Sequence, residues 1–129
     1  KAPLEFYQPK QWRFQDAVNR QASYGAFQDS EVDQTYQHAL QTAVQTYETL
    51  LAKGICRELA RGVLPVCTYT QFMFTCNLHS LTHFLRLRLH KGAQWEIQQY
   101  AKALLTLALP SFPISLAAWR NKHCSLITW

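Results

Sequence analysis

The chain has 129 residues, a formal net charge of +5 from 13 basic and 8 acidic side chains, and 48% hydrophobic residues. That length fits one domain with a sizeable core, and no apolar run approaches the ~20 residues that a bilayer span needs. The positive balance favours anionic partners such as nucleotides, phosphorylated cofactors or nucleic acid.

In chain order, Leu4, Phe6 and Tyr7 read as a short strand or extended arm stopped by Pro9. Trp12-Arg13-Phe14-Gln15 and Asn19-Arg20-Gln21 read as an irregular polar segment around aromatic anchors. Ser30-Glu31-Val32-Asp33 has capping-box spacing, with Asp in the place of Glu or Gln. After it, Val32, Tyr36, Ala39, Leu40, Ala43, Val44, Tyr47 and Leu50 recur at three- and four-residue steps, predicting a helix over 31–53 that ends at Gly54. A shorter helix over 55–63 must stop near Pro65. Tyr69 to Cys76 alternates in β-favouring residues and predicts a strand. Asn77 can cap a helix over 78–90, broken by Gly92. A further helix runs from Ala93 to about Leu109, and a last short one from Ile114 to Trp119, beyond Pro110 and Pro113. The fold class is α+β, helix-dominated with a minor strand component, in one domain over residues 1–129.

The cysteines Cys56, Cys67, Cys76 and Cys124 form no C-x-x-C pair, and Lys1-Ala2-Pro3 opens no signal-peptide pattern. Free thiols and a cytoplasmic or organelle-matrix location are therefore expected. Four glycines in total leave no Gly-rich phosphate loop, and there is no G-x-S-x-G nucleophile elbow.

Lys53, Arg57 and Arg61 lie four apart and would form a basic helical stripe, in which the guanidinium groups suit bidentate phosphate or carboxylate binding. A solvated helix face explains the same spacing. Arg86 and Arg88 close the helix that starts at Leu78; two apart, they point in different directions, and at least one faces away from the core or toward an anion. His79 and His83 share a helical face at the spacing of a zinc pair. However, H-E-x-x-H fails and no third ligand is evident, so a polar face meeting a planar ring or a phosphate is expected and no metal site.

Three runs carry a family resemblance: Ala60-Arg61-x-Val63-Leu64-Pro65; Thr70 to Thr75, Asn77, Ser80-Leu81, Phe84-Leu85 and Leu87-Arg88; and Ala93-Gln94-Trp95-Glu96-Ile97. Phe6-Tyr7-x-Pro9, Asn19-Arg20-Gln21 and Phe112-Pro113 ahead of Trp119 add to them. Together they resemble the flavin-dependent thymidylate synthase (ThyX) family over nearly the whole chain. The resemblance implies methylation of dUMP to dTMP, with methylenetetrahydrofolate as carbon donor and the hydride from FAD reduced by NADPH. It implies that Arg61 and Arg88 bind dUMP, with Arg88 catalytic at the uracil ring, and that Asn77, Leu78, His79 and His83 line FAD. It also implies a homotetramer whose active sites form between subunits.

Two departures accompany it. His79 stands where the family more often has arginine. The family's R-H-R hallmark, expected upstream of Phe6, is absent, which makes the chain the C-terminal portion of the family fold, N-terminally incomplete, with a separate N-terminal fragment as a potential partner. The alternative reading is a non-catalytic ThyX-like subunit kept for assembly in a larger complex. A nucleic-acid-binding module is the weaker third, since the aromatic and basic residues form no recognised motif.

Overall fold

The computed structural model describes residues 3–123. Their elements are β1 (Trp12–Gln15), β2 (Ser23–Phe27), α1 (Ser30–Ala52), α2 (Arg57–Ala60), α3 (Leu78–Arg88), α4 (Trp95–Ala108) and α5 (Pro113–His123), with a 3₁₀ turn over Arg61–Val63. Helix dominates, and the sheet is the two-stranded pair β1–β2, in agreement with the expected class. No helix among the described residues is long and apolar enough to cross a membrane. The chain packs as two units, one formed by residues 1–12 and 27–72, the other by 13–26 and 73–129.

In the first unit, α1 starts at Ser30 and its N-cap lies one residue before the expected capping box. Asp29 is the N-cap and its carboxylate accepts the Glu31 N–H at 2.8 Å. Asp33 is drawn elsewhere, accepting the Trp12 indole N–H at 2.7 Å. An aspartate one position upstream caps as well as serine does, so the predicted box gives way. Trp12 also meets the Tyr36 ring edge-on, with centroids 5.2 Å apart. The Tyr36 hydroxyl donates to the Tyr7 carbonyl at 2.8 Å. Burial, then the Cys67 thiol and Tyr7, push this phenol up to about 12. Leu40 and Tyr47 of α1 and Ala60 of α2 are buried. Gly54, at φ +80°, ends α1 in the left-handed conformation that its sequence position predicts.

The expected strand over Tyr69–Cys76 is not formed; residues 69–77 have no regular structure. Pairing stops at its first residue, where Phe6 bridges Thr68 and the Tyr69 N–H donates to the Glu5 carbonyl at 2.8 Å. Alternation marks a segment able to be a strand, but a strand also requires a neighbour for its N–H and C=O groups. Phe72 and Met73 here are 80% and 95% exposed.

The segment Trp12–Gln15, expected to be irregular, is instead strand β1, and it pairs with β2 at Ser23–Phe27. The β1–β2 turn is fixed by Asp16, whose carboxylate accepts the Val18 and Asn19 N–H groups. Asn19 then donates from Nδ2 to the Gly92 carbonyl at 2.9 Å. A Cβ at Gly92 would come within 2.8 Å of that nitrogen, so glycine is needed for the approach. Arg13 of β1 ion-pairs with Glu96 in the first turn of α4 and lies 4.7 Å over the Trp95 ring. The core consists of Leu85 and Leu89 from the α3 end, Ala101 and Leu105 from α4 and Leu116 from α5, each at most 2% exposed. Each fully buried leucine contributes about 1.5–3 kcal/mol. Pro113 opens α5, where its fixed φ suits a first helical residue. The helix runs past the expected end at Trp119 to His123.

Candidate functional site

Helix α3 organises the site. Asn77 caps it, the side-chain oxygen accepting the Ser80 N–H at 2.8 Å, which leaves two amide N–H donors for a ligand. Its inner stripe, Leu78, Leu81, Leu85 and the following Leu89, packs into the core and fixes the rotation of the helix. Leu78 therefore spends its side chain on packing and offers a ligand only its backbone.

At about 100° per residue, the remaining positions divide into two flanks. His79, Thr82, His83 and Arg86 face one cleft. Arg88 lies about 140° around the helix from His83, exposed, and does not line that cleft. Both arginines sit in the last turn, where the helix dipole favours positive charge.

The cleft has a volume of about 370 Å³, and its other wall is α5, through Trp119, Lys122 and His123. Arg86 Nη2 stands 3.4 Å from His83 Nδ1. Arginine can only donate, so in this contact Nδ1 is the acceptor. His123 stacks on Trp119 with centroids 5.2 Å apart and planes 16° from parallel. Its Nδ1 donates to the Trp119 carbonyl at 3.0 Å. Among the described residues no carboxylate lines the cleft, and no three His, Cys, Asp or Glu side chains gather as a metal-binding group.

Arg61 belongs to the first unit. It opens the 3₁₀ turn after α2, is exposed, and its N–H donates to the Arg57 carbonyl. Ala60, fully buried beside it, anchors the turn. Arg57 and Arg61 keep the basic spacing, whereas the left-handed Gly54 separates Lys53 from them. The structure thus brings His79 and His83 together, places Arg88 on the opposite flank of their helix, and puts Arg61 in the other unit. The α5 residues Trp119, Lys122 and His123 were missed as site residues. The signal was the run of Arg120, Lys122 and His123 after Trp119, which suits the last turn of a continuing helix.

Residues 1–114 match the family model described as thymidylate synthase complementing protein. The flavin-dependent thymidylate synthase of Thermus thermophilus is 45% identical over 117 residues, covering 91% of this chain and 43% of that protein. That of Kosmotoga olearia is 38% identical over 120 residues, covering 91% and 52%, and that of Dictyostelium discoideum 36% over 121 residues, covering 91% and 40%. The crystal structure of the UMP/dUMP methylase PolB from Streptomyces cacaoi, bound with 5-Br UMP, superposes with a TM-score of 0.82 at 32% identity, covering 92% of this chain and 57% of that one. The chain spans about half the length of the curated relatives it matches.

Proposed function

The chain belongs to the thymidylate synthase complementing protein (ThyX) family, and from that premise we propose that it is part of an FAD-dependent thymidylate synthase that methylates dUMP to dTMP. Methylenetetrahydrofolate is the carbon donor, NADPH the reductant, and residues 1–129 act as one domain of a cytoplasmic or organelle-matrix homotetramer. The observation that carries the reading is α3: one helix with a donor-rich cap, two histidines on one flank and an unencumbered arginine on the other.

The chain's residues fit the flavin. Asn77 retains two amide donors, the first backbone N–H groups of α3, at Leu78 and His79, have no carbonyl one turn earlier, and His79 and His83 border a cleft that no carboxylate lines among the described residues. When bound and reduced by NADPH, FAD supplies the hydride. Asn77 and the Leu78 backbone position it, and His79 and His83 hold its polar edge. Arg61 holds the dUMP phosphate through its planar fork. Arg88 sits at the uracil ring, where a fixed cation stabilises the negative charge that develops on the ring more than it stabilises the neutral ground state.

The test is dUMP-dependent NADPH oxidation by the chain together with any natural partner that co-purifies with it, in the presence of FAD and methylenetetrahydrofolate. UMP is the second substrate arm, because the structural relative PolB is described as a UMP/dUMP methylase. Oxidation with dUMP and not UMP is expected. A protein that binds neither FAD nor a uridylate is the outcome of the non-catalytic assembly reading and overturns the enzymatic one.

A further inference from the structure

The flavin reading leaves unused the α5 wall of the cleft, Trp119, Lys122 and His123. At about 370 Å³ the cleft lies at the lower end of the range for small-ligand sites, roughly 300–1,000 Å³. Its ionisable groups are of one kind. Arg86 from α3 and Lys122 from α5 are permanent cations, His79, His83 and His123 complete the set, and no carboxylate among the described residues lines the wall.

The helix dipoles account for a basic last turn on each helix taken singly. They do not account for two such turns converging on one cavity with three imidazoles. Like charges that face each other raise the free energy, and an anion between them reverses the sign. Two of the imidazoles have partners within the cleft wall, His123 through its stack on Trp119 and its bond to the Trp119 carbonyl and His83 through its contact with Arg86.

We infer that the α3–α5 cleft is a phosphate-binding subsite, in which Arg86 and Lys122 clamp a phosphoryl group from opposite walls. The ligand chemistry is a phosphoryl anion, free as pyrophosphate or carried on a dinucleotide. Arginine supplies the bidentate fork and lysine the mobile point charge. The inference goes beyond the flavin reading, because half of the site lies on a helix which that reading does not use.

The experiment follows the histidine Cε1–H resonances of the full chain during titration with pyrophosphate at low salt, and separately with FAD. Saturable shifts at His79, His83 and His123, with His38 and His90 unmoved, are expected. Arg86→Gln and Lys122→Gln are each expected to weaken the pyrophosphate affinity about tenfold, the loss of one charge-assisted hydrogen bond, while Lys10→Gln leaves it unchanged. Both altered side chains are exposed, so both variants should fold. FAD displacing pyrophosphate makes the dinucleotide the carrier; FAD binding without displacing it makes the free anion the ligand. Shifts that do not saturate, that spread equally to His38 and His90, or that survive both substitutions overturn the inference. If FAD fails to bind while pyrophosphate still saturates the three histidines, the flavin wall falls and the phosphate subsite stands.

Discussion

Arg13 and Glu96, 83 residues apart, form a half-buried ion pair that ties β1 to the first turn of α4. The guanidinium also lies 4.7 Å over the Trp95 ring, and its Nε donates to the Ser23 hydroxyl of β2 at 3.0 Å. One side chain thus joins both strands to α4. Glu96 is favourably placed at the positive end of the helix dipole, on a helix whose N-cap Gln94 makes no side-chain capping bond. Glu96→Gln is expected to lower stability by about 1 kcal/mol and Arg13→Ala by about 2 kcal/mol, because the latter also loses the ring contact. Urea unfolding midpoints check the order; equal costs would mean that the Trp95 contact contributes nothing.

Leu85 is fully buried between α3, α4 and α5, so the orientation of α3 depends on it. Leu85→Ala should cost about 2–5 kcal/mol. Leu87→Ala, on the same helix but 47% exposed, should cost less than about 1 kcal/mol. Thermal and urea unfolding of the two variants make the comparison.

Gly54 holds φ +80° with open space where a Cβ would sit. The penalty at this position is therefore backbone strain and not a clash. Gly54→Ala is expected to destabilise by about 1 kcal/mol; an unchanged midpoint would show that the turn relaxes.

The N–H bonds from Asn19, first, and Val18 hold the Asp16 carboxyl below its ordinary value of 3.8. A depressed folded value means that the stabilisation is present above 3.8 and is lost as pH falls through the lower folded value. The Val18 and Asn19 amide proton shifts should titrate with a midpoint under 3.8, and the transition should vanish in Asp16→Asn. A midpoint at or above the ordinary value would contradict the turn geometry.

Much of this was legible in the sequence where the determinant is local. Gly54 ending α1 and Asn77 capping α3 are one-residue signals, and both hold. The turn of β1–β2 is local, made by Asp16 with Val18 and Asn19, but the pair was not legible because its placement depends on Arg13 meeting Glu96 and Asn19 meeting Gly92, contacts that no local window contains. The segment from Tyr69 to Cys76 fails in the opposite sense: its alternation is real, but beyond Tyr69 the described residues supply no ladder for it. At the site, His79 and His83 were visible from their four-residue spacing. The α5 wall was hidden because the helix was expected to end at Trp119, one turn before His123.

The proposed division of α3 into a flavin flank and a substrate flank is tested most directly by Arg88→Ala, with FAD binding and dTMP formation from dUMP measured on the same preparation, including any natural partner. The predicted result is FAD affinity within about twofold of the parent, as expected for an exposed residue about 140° from His83, with dTMP formation lowered by about 10²-fold or more. Unchanged dTMP formation, or loss of FAD together with activity, would contradict the account.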